Sequence, residues 1–219
     1  MIELRSPAAA DSLLAQVRSL AGLLPVRSEP WGVRIERCDV LVRVERDGAA
    51  QTQVRRSGCA ATRLLTEWRV PVRVLSGTPL RVDLSAPHCD ATYHEERRSP
   101  GLVVCVVTFA KPWCGWLIDL TTEAIAGRYA LDPTAEDGRV GSCTLHVGQR
   151  VDRYSVRLEM PAGYAPEWLE PVAAAELCGE QVQVEATCRR ATWRRDSSSA
   201  TLDLELPRVG TYYALRWRT

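Results

Sequence analysis

From Gly32 onward, apolar and polar residues alternate with a period of two, the spacing of side chains on one face of a β-strand. In residues 42–45, for example, valines alternate with Arg43 and Glu45, and Asp47-Gly48 then offers a hairpin turn. About ten to twelve such short runs, separated by turn residues and without a strand–helix–strand rhythm, predict a mainly β fold. The expected architecture is an antiparallel β-sandwich or barrel.

The first 30 residues have a helical period instead. Ser6 and Pro7 are typical of a helix start, and Pro25 ends the apolar pattern. The apolar residues with helical spacing are Leu13, Leu14, Val17, Leu20, Leu23 and Leu24. We therefore predict an N-terminal amphipathic helix (residues 1–30) packed on a single β domain (residues 31–219). An internal division of the β domain near residues 121–126 is possible. Short helices are expected around residues 59–67 and 167–177.

The choice of residues indicates a GC-rich coding source. The chain has no asparagine, a single lysine (Lys111), eight cysteines and seven tryptophans. Because Arg, Ala, Gly and Pro have GC-rich codons, and because so many cysteines and tryptophans are unusual in soil bacteria, we expect a large DNA virus as the source. The net charge is +1, from 28 basic and 27 acidic residues. This balance gives no global attraction to nucleic acid or to an anionic membrane.

The protein is expected inside the host cell, in the cytoplasm or nucleus, and not secreted. The N-terminus lacks the apolar segment of a signal peptide. The longest apolar run, residues 102–107, is shorter than the roughly 18 residues that a membrane helix needs. No CxxC pair is present, so most of the cysteines are predicted to be small buried hydrophobes in a reducing compartment.

No catalytic constellation is recognisable in the sequence. A phosphate-binding glycine loop and the HExxH and GxSxG motifs are all absent. No catalytic residue, cofactor or metal is therefore predicted. One metal alternative stays open, because His88, Cys89, His94 and Cys105 could ligate zinc, although His94 lies in a charged segment typical of an exposed loop.

One segment, residues 189–195, concentrates groups that suit binding. Guanidinium groups around an indole can bind acidic or phosphate groups and stack on a base, and tryptophan and arginine often anchor protein interfaces. A second tryptophan follows Lys111-Pro112 near a turn. The predicted partner-binding residues are Trp193, Arg189, Arg190, Arg194, Arg195 and Trp113.

The second half of the chain resembles a known family. Residues 126–131 are similar to an Ala-Gly-Tyr-Asp-type strand, and residues 151–160 lead into Pro161-Ala162-Gly163-Tyr164, which is similar to a Pro-Pro-Gly-Tyr turn. Both are features of the dUTPase-like β-barrel, so residues 126–217 resemble the dUTPase-related proteins of herpesviruses. Residues 80–84 resemble part of an upstream copy. The resemblance implies a barrel over residues 126–217.

The resemblance also implies that the family's chemistry is lost. Where an active dUTPase continues with Pro-Arg-Ser-Gly, this chain has Glu170-Pro171-Val172-Ala173-Ala174-Ala175, and the motif of the catalytic aspartate has no counterpart. The expected function is that of a non-enzymatic viral interaction protein that binds a host or virion protein, in a host-modulating or tegument-type role. Nucleic-acid binding through residues 189–195 is the first alternative, and a nucleotide hydrolase of dUTPase type is the second.

Overall fold

The described part of the chain is built almost entirely from β-strands, which confirms the predicted fold class. The structure, a computed structural model, describes residues 32–128, 140–164, 168–175, 181–182 and 184–218. Its strands are β1 (Val33–Val44), β2 (Ala49–Ala61), β3 (Leu65–Arg73), β4 (Arg81–Ser85), β5 (Ala91–Ser99), β6 (Leu102–Trp113), β7 (Leu117–Arg128), β8 (Val140–Val147), β9 (Arg150–Glu159), β10 (Trp168–Ala175), β11 (Gln181–Val182), β12 (Arg190–Arg195), β13 (Ser199–Glu205) and β14 (Thr211–Arg218). A short 3-10 helix spans Val184–Thr187. The predicted N-terminal helix lies outside the described residues.

The strands form three open sheets. The seven-stranded sheet has the order β12-β13-β9-β1-β2-β7-β4, the four-stranded sheet β11-β10-β14-β8, and the three-stranded sheet β3-β6-β5. Neighbours are antiparallel except for β1 and β9, which pair in parallel. Within the described ranges no sheet closes on itself, so the barrel alternative is wrong. The same ranges contain no helix long and apolar enough to span a bilayer.

One hydrophobic core joins the three sheets. It contains Val40 and Leu120 from the seven-stranded sheet, Trp68 from the three-stranded sheet and Trp217 from the four-stranded sheet. The alternation in the sequence explains this arrangement, because the buried side chains of β1 are alternate residues on each side of a break at Glu36-Arg37, and most of the side chains between them are polar. The seven-stranded sheet therefore has a core-facing side and a polar side.

Residues 126–217 do not form a unit of their own. Strands β9, β12 and β13 belong to the seven-stranded sheet, whereas β8, β10, β11 and β14 form the four-stranded sheet. The two edges of β9 are occupied by β13 and by β1, so its backbone hydrogen bonds are shared with the N-terminal half of the chain. The turn at 161–164 is present, since the Tyr164 N–H donates to the Pro161 carbonyl at 3.0 Å. A local turn does not define a fold, and the expectation of a dUTPase-like barrel is wrong.

Where the structure describes them, both segments expected as short helices are mostly strand instead. Residues 59–61 end β2 and residues 65–67 begin β3, while most of the segment 167–177 forms β10, which pairs with β14 along its length. Small residues such as those at 173–175 favour a helix locally, but non-local pairing with a neighbouring strand overrides a weak propensity. Residues 121–126, where the sequence allows a division, lie within the continuous strand β7.

Strand β6 is apolar on both faces, as its sequence predicts. Val107 faces the core, and Val106 on the opposite face is also fully buried. Arg69 of β3 reaches across β6 to Glu96 of β5, with Nη1–Oε2 and Nη2–Oε1 distances of 3.0 and 3.2 Å. This hydrogen-bonded ion pair spans the strand that carries Val106, and the Arg69 guanidinium lowers the pKa of Glu96. Long charged side chains thus cover the outer apolar residues of β6.

Candidate partner-binding site

The predicted basic cluster lies on β12, the edge strand of the seven-stranded sheet, and Arg189 immediately precedes it. Successive side chains of a strand point to opposite faces. Trp193 is in register with a buried leucine of β13, so Trp193 and Arg195 lie on the core-facing side. Arg190 and Arg194 lie on the polar side. The structure therefore does not gather the four guanidinium groups around the indole.

The polar side of the seven-stranded sheet mixes both signs of charge. Arg194 Nη2 lies 3.2 Å from Asp203 Oδ2, and the Ser155 hydroxyl donates to Asp203 Oδ1 at 2.6 Å. Further ion pairs on this side are Arg37–Asp39, Arg43–Glu159 and Arg157–Glu159. Because carboxylates lie against these arginines, this side does not present a purely basic surface to a phosphate backbone. Nucleic-acid binding through residues 189–195 stays a prediction.

The two tryptophan candidates differ in exposure. Trp193 is 41% exposed, as expected for an anchor. Trp113 is 1% exposed, because β6 continues through it and places its ring on the core-facing side. Its ring stacks on Phe109 at 4.8 Å and lies 5.9 Å from Trp68. The expectation that Trp113 is an exposed anchor is therefore wrong.

Two connections between strands lie side by side at one end of the sheets. They are residues 62–64, between β2 and β3, and residues 114–116, between β6 and β7. Strand β3 starts where β6 ends, and β7 starts where β2 ends. The residue pairs that show this are Leu65 with Trp113 and Ala60 with Leu117.

The connection between β4 and β5, residues 86–90, reaches the same end. The imidazole ring of His88 lies 5.5 Å from the indole ring of Trp116, with the two planes tilted by 38°. We call residues 62–64, 86–90 and 114–117 together the Trp116 end. Three connections thus contribute to one surface.

The Trp116 end exposes three large apolar side chains. Trp116 is 53% exposed, Leu117 55% and Leu64 50%. Sequence reasoning missed these residues, although one signal was present. Gly115 has φ +78°, a conformation that favours glycine, and it lies in the connection between β6 and β7. A glycine directly before a tryptophan could have indicated a change of direction.

Contacts with the core hold the Trp116 end in place. The buried Trp113 donates its Nε1–H to the carbonyl of Trp116 at 2.8 Å. In residues 86–90, the Cys89 N–H donates to the Ala86 carbonyl at 3.3 Å, and both side chains pack against the core. The exposed indole therefore rests on an anchored backbone.

Most of the cysteine side chains that the structure describes are at least partly buried, and Cys114 is exposed. Burial raises the pKa of Cys38 and of Cys105 to about 11 and also raises that of Cys59, so these thiols stay protonated at neutral pH. His94 pairs with Val106 and lies on the face of the three-stranded sheet opposite to Cys105. These two residues therefore cannot ligate one zinc ion. Among the described side chains, no three His, Cys, Asp or Glu residues are grouped for a metal.

Comparison with known proteins gives no matching family model and no matching curated protein. Similar solved structures include an M1 zinc metallopeptidase from Deinococcus radiodurans, with 14% identity over 84% of this chain and 42% of that chain and a TM-score of 0.42. They also include native leukotriene A4 hydrolase from Saccharomyces cerevisiae, with 10% identity over 91% and 33% of the two chains and a TM-score of 0.43. The chain thus spans less than half the length of these proteins. The expected resemblance to dUTPase-related proteins is wrong, because the comparisons find no dUTPase-like protein.

Proposed function

We propose that this chain is a non-enzymatic interaction module that binds another protein through the Trp116 end. The observation that carries the proposal is the grouping of Trp116, Leu117 and Leu64, each about half exposed, at one end of the sheets. Exposed apolar groups that cluster are typical of protein–protein contact surfaces. Tryptophan is also one of the residue types enriched among interface anchors.

The local structure supports an anchor role for Trp116. Its backbone is fixed by the hydrogen bond from Trp113, a core residue, and its ring lies next to His88. A side chain that is already positioned loses less conformational freedom on binding than one on a free loop. More of the burial energy is then available for affinity.

The partner is proposed to be a host or virion protein, since the composition indicates a viral source. This part of the proposal rests on the sequence alone. A complementary surface would offer an apolar pocket for the indole and acceptors for the neighbouring Lys111 and Arg63, both of which are exposed.

Affinity capture with matched variants tests the proposal. Immobilised protein is incubated with a cell lysate, and the captured proteins are quantified by mass spectrometry for the wild type and for the double variant Trp116→Ser, Leu117→Ser. We expect at least one protein to be captured in stoichiometric amount by the wild type and to fall by about tenfold or more with the variant.

The control variant is Tyr93→Ser, Leu206→Ser, which removes two other exposed large side chains from the chain. Its capture should match the wild type. Thermal unfolding of all three proteins establishes that each is folded. Equal capture by the wild type and by the Trp116→Ser, Leu117→Ser variant would contradict the proposal.

A further inference from the structure

Strand β12 leaves backbone groups unpaired by its neighbour β13. The two strands form a hairpin in which the Asp196 N–H donates to the Ser199 carbonyl at 2.9 Å across a two-residue loop. In an antiparallel pair, residues alternate between those that exchange hydrogen bonds with the neighbour and those that point away. Counting back from Asp196, Thr192 and Arg194 bond to β13, whereas Ala191 and Trp193 direct their N–H and C=O groups to the other edge. No strand of the described residues pairs with β12 there, and we call it the open edge.

The side chains along this edge follow the same alternation. Arg190 and Arg194 lie on the polar side, and Trp193 lies on the core-facing side in line with the buried Leu202 and Val156. The row of apolar side chains that crosses the sheet thus ends at a half-exposed indole. A further strand at this edge would cover that indole and extend the apolar row.

We propose that the open edge of β12 accepts an extended acidic segment of a partner protein as an additional strand. Residues 189–195 contain four arginines and no acidic residue. Cross-strand neighbours share a face of the sheet. The segment should therefore carry acidic residues opposite Arg190 and Arg194 and an apolar residue opposite Trp193. This inference uses a different surface from the Trp116 end and does not depend on the function proposed there.

The charge of the edge decides between occupants. A second copy of β12 would bring arginines against arginines, and like charges directly opposite each other disfavour pairing. A nucleic acid could contact the guanidinium groups, but it has no ladder of N–H and C=O groups to match Ala191 and Trp193. Arg194 already lies 3.2 Å from Asp203, yet its side chain is largely exposed and can bond to a second carboxylate. An acidic β-strand uses the backbone and the side chains together.

The test uses a synthetic eight-residue peptide of alternating glutamate and valine with blocked ends. Binding to the full chain is measured by calorimetry, against a peptide in which lysine replaces glutamate and against a single-stranded oligonucleotide. We expect the glutamate peptide to bind and the lysine peptide not to bind. Hydrogen exchange should slow at Ala191 and Trp193 when the glutamate peptide is present.

Two sets of variants separate backbone pairing from charge. Ala191→Pro removes an outward N–H without removing a bond to β13, so it should weaken peptide binding by about tenfold or more, while Ala191→Val should not. Arg190→Glu should weaken binding of the glutamate peptide and strengthen binding of the lysine peptide. The matched control Arg46→Glu makes the same charge change at the exposed β1–β2 turn and should alter neither.

Four outcomes would contradict the proposal or assign the edge to another occupant. Undiminished binding of the glutamate peptide to folded Ala191→Pro would overturn strand addition. If that variant fails to fold, an unchanged peptide preference in Arg190→Glu would overturn the proposal instead. Tighter binding of the oligonucleotide than of the glutamate peptide would assign the edge to nucleic acid, and concentration-dependent dimers blocked by Ala191→Pro would assign it to a second copy.

Discussion

At the scale of single residues, Gly58 shows how one backbone conformation is required by the sheet. Its φ is +63°, and an added Cβ would lie 2.7 Å from Glu36 Oε2 and 2.8 Å from Glu36 Cβ. Its N–H donates to Asp119 Oδ1 at 2.8 Å, next to the register shift between Arg56 and Cys59 in the β2–β7 pair. Glycine supplies both the left-handed conformation and the space for Glu36.

We expect Gly58→Ala to lower the free energy of unfolding by about 2–4 kcal/mol, from conformational strain and from the contact with Glu36. Gly77→Ala is the matched control, because Gly77 has φ +84° with nothing near its missing Cβ. Gly77→Ala should lower the free energy of unfolding by about 1–2 kcal/mol, from strain alone. Chemical denaturation of both variants measures the difference, and equal losses would show that Glu36 moves away freely.

The tryptophans near the β6–β7 connection show what a sequence can and cannot say about single residues. Trp113 is core, although Lys111, which has the same parity in β6, is exposed. The pairing of β6 with β3 is irregular between Thr108 and Trp113, so alternation alone does not predict the burial of Trp113. The exposure of Trp116 depends on where β6 ends and on the turn at Gly115. Strand ends are set by pairing with β3, a contact between distant parts of the chain, so local sequence does not determine them.

At the scale of elements, the β12–β13 hairpin is closed by a carboxylate. Asp196 Oδ1 accepts the N–H groups of Ser198 and Ser199 at 3.0 and 2.7 Å, and Oδ2 accepts the Ser199 hydroxyl at 2.7 Å. The Ser199 hydroxyl and these two N–H groups lower the pKa of Asp196 below its usual 3.8. The ionised carboxylate therefore stabilises the hairpin loop.

This arrangement predicts a pH dependence of the hairpin. Because the pKa of Asp196 is lower in the folded state, its stabilisation is fully present above the unfolded pKa near 3.8 and is lost as the pH falls through the folded pKa. The protection of the amides of residues 196–199 against hydrogen exchange, measured by NMR, should decrease in the wild type as the pH falls through the folded pKa. Asp196→Asn should show no such step, and a step in the wild type centred well above pH 4 would contradict the assignment.

The strands were largely predictable because a period of two is a local signal that each segment carries by itself. The hairpin turn at Asp47-Gly48 was predictable for the same reason, and the Glu45 N–H indeed donates to the Ala49 carbonyl at 2.8 Å. The prediction of helices at residues 59–67 and 167–177 was wrong because the extended conformation there comes from pairing with strands far away in sequence. The sheet order and the open edge at β12 have the same non-local origin.

At the scale of the whole molecule, the two halves of the chain are interleaved. Strand β9 from the second half pairs in parallel with β1, and β13 and β12 follow it outward. The seven-stranded sheet is therefore complete only when residues before 62 and after 150 are both present. This arrangement is the physical reason that no self-contained barrel forms from residues 126–217.

A fragment of residues 126–219 tests this interleaving. Without β1, strand β9 has an unpaired edge and its core-facing side chains lack the partners that bury them. We expect the isolated fragment to show no cooperative thermal transition and little dispersion in its proton NMR spectrum, whereas the full chain shows both. Cooperative unfolding of the fragment alone would mean that the second half folds independently.

The central claim, that the Trp116 end is the protein-binding surface, can be measured through a chemical feature of the chain. Lys111 is the single lysine, is exposed, and lies on β6 two residues before Trp113. With the N-terminal amine blocked, an amine-reactive photo-cross-linker attaches to Lys111. We expect the captured partner to form one cross-linked product, which is lost in Lys111→Arg and in the Trp116→Ser, Leu117→Ser variant. A partner that stays bound with full affinity, yet gives no product from Lys111, would contradict the claim.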